Sequence, residues 1–213
     1  ATKRYGRGLQ VQANYTISKI IDTAPYATAF IPNSAAEDPN LPKDTLRPNT
    51  DRGIGDANVS HRFAGSAVWD LTWADRASGP LVRWLLGGWQ ISTVAALQSG
   101  RWYSARSNVD LDNDGNRFTD RSPGYGRNTI EGPGLATVDL RLSKAIRPRR
   151  EGVELRFIGE AFNAFNRANF SALQQTPVNY NASTRTFAAN PAFLMPTATL
   201  DPRILQLAIR LSF

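Results

Sequence analysis
The 213-residue sequence predicts an all-β fold: about six strands of an antiparallel up-and-down barrel that spans a membrane. Three observations lead there. Apolar residues recur at every second position in six separate stretches, the period of a strand and not of a helix. The links between the stretches alternate between long and short. Aromatic residues gather near the ends of the stretches. A mean hydropathy of -0.36 is compatible with membrane strands, because only alternate residues of each ~9 to 11-residue strand meet lipid. No apolar run approaches the ~18 residues of a membrane helix; the longest, from Pro80 to Leu86, is short and contains Arg83.

The first strand is expected near 8–20, where Leu9, Val11, Ala13, Tyr15 and Ile17 face one way and Gln10, Gln12, Asn14, Thr16 and Ser18 the other. The second, near 59–73, sets Phe63, Gly65, Ala67, Trp69, Leu71 and Trp73 against Arg62, Ala64, Ser66, Val68 and Asp70. Near 88–105, Trp89, Ile91, Thr93, Ala95 and Leu97 oppose Gln90, Ser92, Val94, Ala96 and Gln98. Near 134–146, Ala136, Val138, Leu140 and Leu142 oppose Thr137, Asp139, Arg141 and Ser143. Near 152–165, Val153, Leu155, Phe157, Gly159 and Ala161 oppose Glu154, Arg156, Ile158, Glu160 and Phe162. The last, near 202–213, carries Leu205, Leu207, Ile209, Leu211 and Phe213 on one face and Gln206, Ala208, Arg210 and Ser212 on the other.

Alternation alone would also suit a soluble β-sandwich. The links separate the two folds. Those at 22–58, 100–134 and 167–200 are long, that at 74–88 intermediate and that at 147–152 tight. A barrel with long extracellular loops and short periplasmic turns has this rhythm, and a Greek-key sandwich has no reason for it. Phe213 then falls on the periplasmic side. Tyr15, Trp69, Trp73, Trp89, Trp102, Tyr103 and Phe213 are expected to form interfacial girdles. In the intermediate link, Pro80 at a first helical position and Gly87-Gly88 as a stop predict one or two turns of helix.

The net charge of +7 and pI near 10.1 come from Lys and Arg scattered among acids, which suits a solvated or anionic membrane surface and gives no focused nucleic-acid patch. The absence of Cys removes thiol chemistry and disulfides. His61 is the only histidine, so a His-rich metal centre or a Ser-His-Asp set has little to draw on, and no enzyme activity is expected. In the loop Asp110-Leu-Asp-Asn-Asp-Gly115, with Asp120 beyond, Asp110, Asp112, Asp114 and Asp120 are candidate calcium ligands. The position where an EF-hand places Glu holds Arg121, and Asx-turns account for the same residues. Arg117, Arg121 and Arg127 could pair with these acids and fix the loop. Asp70, Gln90, Gln98, Asp139, Arg141, Glu154, Arg156, Glu160 and Arg210 are expected to face the lumen, with charges of both signs paired across adjacent strands.

The stretches DANVSHRFAGSAVWDL, LLGGWQISTVAALQSGRWYS, DLDNDGNRFTDRSPGYGRNT, GPGLATVDLRLSKAI and LRFIGEAFNAFNRANF, followed by a terminal aromatic, closely resemble the barrel end of Oar-like TonB-dependent receptors. The resemblance runs from Arg4 onward and leaves out the loop interiors at 23–56 and 171–200. It implies an outer-membrane barrel of ~22 strands, of which residues 1–213 are the C-terminal portion, the plug and N-terminal domains being absent. The abrupt start in strand pattern fits the same expectation. Further implied are TonB-dependent uptake of an unidentified substrate, contact with outer-membrane lipid and lipopolysaccharide, and coupling to the TonB complex through the missing N-terminal region. The last strand, with Leu205, Leu207, Ile209, Leu211 and Phe213, resembles the signal read by the barrel assembly machinery. No required cofactor is implied. An adhesion or assembly barrel without transport would use the same wall.

Overall fold
The computed structural model describes residues 2–6, 8–23, 42–44, 46–72, 79–148, 152–181 and 183–213. β1 (Thr2–Gly6) turns at Gly8 into β2 (Leu9–Ile17). Beyond it, β3 (Ile21–Asp22) pairs with β4 (Gly53–Ile54) inside the first long link. β5 (His61–Asp70) leads through helix α1 (Pro80–Leu86) to β6 (Trp89–Gln98). The second long link contains the pair β7 (Trp102–Tyr103) and β8 (Ile130–Glu131). β9 (Leu135–Ile146) and β10 (Glu154–Phe162) form a hairpin. The third long link folds into β11 (Phe170–Leu173), β12 (Val178–Asn181), β13 (Thr186–Ala189) and β14 (Pro196–Thr199), β12 pairing with β13 and β11 with β14. β15 (Ile204–Ser212) returns to the main sheet.

Among the described residues one sheet of seven strands dominates, in the order β1-β2-β5-β6-β9-β10-β15, with every pairing antiparallel. Each strand lies beside its nearest wall strand in the chain, the up-and-down order that the links predict. There are no Greek-key crossings in it. β1, where no alternation is visible in TKRYG, was not expected from the pattern. The strand expected near 88–105 ends at Gln98, and Trp102 and Tyr103 belong instead to the rim pair β7/β8.

Register carries the alternation across the sheet. Leu9, Trp69, Ile91, Leu142, Gly159 and Leu207 are successive direct partners, and Gln10, Val68, Ser92, Arg141, Glu160 and Gln206 are the neighbouring set on the opposite face. A slip of one residue would exchange the two faces. The apolar face is uncovered: Trp69, Ile91, Leu140, Leu142, Phe157, Leu207, Ile209 and Leu211 are exposed and Leu155 is half-buried. The only buried hydrophobic residues among those described are Ala105 and Leu173, and both lie in the long links. Among the described residues no second layer of protein packs on the wall, which a soluble sandwich would need.

The aromatic girdles take a different composition from the one expected. On the apolar face Tyr15 stacks on His61 with centroids 6.2 Å apart and its hydroxyl lies 2.9 Å from His61 Nδ1. Phe63 is the direct partner of Tyr15. Trp69 lies six residues further along its strand, about 20 Å at ~3.3 Å per residue, close to the ~25 Å apolar band of outer-membrane barrels. Trp102 and Tyr103 leave the girdle for the rim, where the Tyr103 hydroxyl donates to Ser171 O at 3.3 Å. Trp73 lies outside the described residues.

Candidate functional site
The three long links emerge from the same end of the sheet, and the second binds both of the others. Towards the first, Arg127 pairs with Asp22 and lies 3.7 Å from Asp56, while its guanidinium also donates to Asp22 O at 3.2 Å. Arg121 pairs with Asp51, and Lys43 Nζ lies 3.5 Å from Asp120. Asn128 donates to Ile54 O at 2.7 Å. Towards the third link, Arg106 N donates to Gln175 O at 2.9 Å and its side chain to Gln175 Oε1 at 3.2 Å. Asn108 and Tyr180 exchange two bonds, of 3.0 and 3.3 Å, and Tyr125 meets the Phe193 ring edge-on. The three links therefore form one rim cap.

Polar groups make the interior of this cap. Asp51, Asn58, Asn116, Thr119, Asp120, Ser122, Arg127, Asn128, Asn163 and Asn169 are buried. Burial of uncompensated groups like these would be costly, and hydrogen bonds offset it. Asn169 accepts from Ala136 N at 2.8 Å and donates to Ala136 O at 3.0 Å, so its amide imitates a strand partner at the end of β9. Asn163 accepts from Arg167 N at 3.1 Å and donates to Arg167 O at 2.9 Å, closing a turn in which Asn163 and Asn166 have positive φ. Burial lowers the Arg106 pKa, with Arg121 acting in the same direction and Asp56 against it. These asparagines were missed in the sequence, where FNAFNRANF offered only their recurrence beside a strand end.

Within the second link the carboxylates of Asp110, Asp112 and Asp114 converge, with one oxygen from each lying within 4.8 Å of the others. All three also accept backbone bonds: Asn113 N reaches Asp110 at 2.7 Å, Gly115 N reaches it at 2.9 Å, and Asn116 N reaches Asp114 at 2.7 Å. Asp114 N lies 3.3 Å from Asp112 Oδ1. Asp120 does not join them. It is wholly buried, accepts from Leu111 N at 2.5 Å and faces Lys43. Arg121 and Arg127 pair with acids of the first link instead of with this loop, and the Arg117 guanidinium lies 5.0 Å over the Phe118 ring. The donor set of three carboxylates suits a hard cation such as calcium.

Along the wall, Asp139, Arg141, Glu154, Arg156, Glu160 and Arg210 share the polar face. Arg141 and Glu160, direct partners on β9 and β10, lie 3.7 Å apart. Asp70 accepts from its direct partner Gln90 at 2.8 Å. Glu154 instead holds Arg156 of its own strand at 2.7 Å and Arg147 of the adjoining turn at 2.9 Å. Arg156 stands directly opposite Arg210, so two like charges meet and Glu154 draws one aside. Asp139 accepts from Asn163 N at 2.9 Å and ties the face to the rim.

β15 is the outermost strand on its side and pairs with β10 alone among the described residues. Leu205, Leu207, Ile209, Leu211 and Phe213 are all exposed. An open edge beside a fully apolar face is a liability in water but is normal for a strand that finds lipid on one side and another strand on the other. The description of the matching family agrees: a model for the outer membrane beta barrel domain matches residues 1–125 and again 123–206. The chain belongs to that family. No curated protein and no solved structure matches. For an outer-membrane barrel, the exposed apolar face is the lipid face, and the rim with the three long links is the outer one.

Proposed function
We propose that this outer-membrane barrel chain supplies the closing wall and outer rim of an Oar-like TonB-dependent receptor, admitting a substrate yet to be identified. The observation that carries this reading is the rim cap. Three links cross-bonded through Arg127, Arg121, Arg106 and Asn108 make a preorganised surface above one end of the wall, where incoming substrate would first meet the protein. Asp139, Arg141, Glu154, Arg156, Glu160 and Arg210 then line the lumen and face a plug, with Arg210 outside the acid pairs formed among the described residues and able to meet an acidic partner. Calcium bound by Asp110, Asp112 and Asp114 would stiffen the rim. Energy enters through the TonB complex, which binds outside these residues. β15 serves the barrel assembly machinery as an edge to which it adds its own strand, backbone groups giving affinity and alternate side chains the register.

The test uses the full-length protein in native outer-membrane vesicles, with the purified periplasmic domain of TonB as probe. Binding is expected. A correctly inserted barrel that does not bind TonB would overturn the transport reading and leave an adhesion or assembly barrel, for which a rigid rim is equally suited.

A further inference from the structure
α1 turns a wide apolar face outward. Leu81, Val82, Trp84, Leu85 and Leu86 are all exposed, and Arg83 is the sole charged residue in Pro80–Leu86. At ~100° per residue those five side chains span about 200° of the circumference and leave Arg83 on the remaining side, the amphipathic pattern of a helix that lies in a membrane interface. Seven residues are also too few to hold a helix in water without docking. The dock lies on the lipid side of the wall. Lys144 Nζ donates to Trp84 O at 2.7 Å, to Leu85 O at 3.0 Å and to Gly87 O, and Trp89 Nε1 donates to Leu85 O at 2.9 Å. Lys144 and Trp89 are direct partners on β9 and β6, on the same face as Ile91, Leu142 and Phe157.

We infer that α1 is a lipid foot: a helix seated in the periplasmic leaflet of the outer membrane and hooked to the wall by Lys144 and Trp89. This rests on the outer-membrane placement of the wall. Continuity selects the occupant, because the foot adjoins the exposed lipid face and a groove of about 440 Å³ lined by Trp89, Leu142, Phe157, Gly159, Leu207 and Ile209. Side-chain chemistry agrees. Trp84 suits the headgroup boundary, and the exposed Arg83 has a stem long enough to carry its charge out of the apolar layer. Lys144 explains the arrangement from the other side: a bare ammonium on a lipid face is costly, and three carbonyls at a helix C-terminus satisfy its three donors. Gly88 permits the sharp exit, since its φ of 70° and the adjacent Ala145 carbonyl leave no room for a Cβ.

The experiment is site-directed spin labelling of the full-length protein refolded into phosphatidylethanolamine–phosphatidylglycerol vesicles, with single labels at Leu85→Cys, Leu207→Cys and Thr184→Cys. Residues 1–213 contain no native cysteine to interfere. Collisions with oxygen report lipid, and collisions with a water-soluble nickel chelate report solvent. Leu85 is expected to match Leu207, rich in oxygen and shielded from nickel, while Thr184 on the rim shows the reverse. Adding Lys144→Met should move Leu85 towards the solvent signature and leave Leu207 unchanged. Nickel access at Leu85 as free as at Thr184, with Leu207 in lipid, would overturn the foot; so would exclusion of both reagents at Leu85, which means a protein partner. Solvent access at Leu207 itself would instead overturn the membrane placement beneath it.

Discussion
Phe213 is 97% exposed and Leu207 89%, yet the two should respond differently to a charge. Leu207 lies mid-strand opposite Gly159, with nothing bulky across from it, so its neighbour in the barrel is lipid. A charge there costs ~2 to 4 kcal/mol near the midplane, whereas the cost falls to ~0 to 1 kcal/mol near the interface. Leu207→Arg is therefore expected to lower both refolded stability in detergent and folded yield in cells. Phe213, just beyond the end of β15, should matter little to refolded stability. If the strand is the assembly signal, deleting Phe213 will cut cellular yield sharply; equal and negligible effects in both assays would remove that role. The acidic loop allows a second comparison: calorimetric titration of the folded barrel with calcium should give a heat that Asp112→Asn abolishes. No heat from the unaltered protein would leave Asx-turns as the whole account of the loop.

At the scale of elements, the rim is held by few residues, each joining different links. The Arg127 side chain is 3% exposed and bridges Asp22 and Asp56, so Arg127→Ala removes a cation that the two acids share. Both acids are more than a third exposed, so solvent screens much of the loss and a cost of about 1 kcal/mol is expected. The loss should be local. Trypsin is expected to cut the first and second links faster in Arg127→Ala while the membrane-embedded wall stays intact, and unchanged rim cleavage would mean that the cap does not depend on this pair. Asn169→Ala tests the junction with the wall, since it strips Ala136 of both partners. A cost of about 1 to 3 kcal/mol is expected from unsatisfied backbone groups. Faster amide exchange at the rim end of β9, with the periplasmic end unaffected, would be its signature.

The whole molecule has its hydrophobic and polar layers in unusual places. Among the described residues the buried apolar ones, Ala105 and Leu173, lie in the rim, while the wall shows its apolar side chains to the outside. Such a sheet draws little stability in water from burial and much from lipid. Its outer strands, β1 and β15, also present free ladder groups. Residues 1–213 on their own are thus expected to aggregate without detergent and to become strand-rich and dispersed in it, as measured by sedimentation and circular dichroism. A monodisperse, cooperatively melting monomer in plain buffer would contradict the exposed-wall architecture.

Most of the wall was determined by the sequence alone. A period of two is local, so residues such as Leu140 and Arg141, or Phe157 and Glu160, declare opposite faces without knowledge of any partner, and link length orders the strands. Asp110, Asp112 and Asp114 were legible for the same reason, since their convergence spans only a few residues of chain. Only the tertiary structure decided which charges meet. Arg127 reaches Asp22 across more than a hundred residues, Arg121 turns to Asp51, and Asp120 leaves the acidic loop to lie against Lys43. Nothing in the spacing of these residues encodes those partners, because they depend on how three long links settle against one another. Lys144 is the clearest case: in sequence it is an unremarkable cation in SKAI, and its role arises only when register sets it beside Trp89, under the carbonyl end of α1.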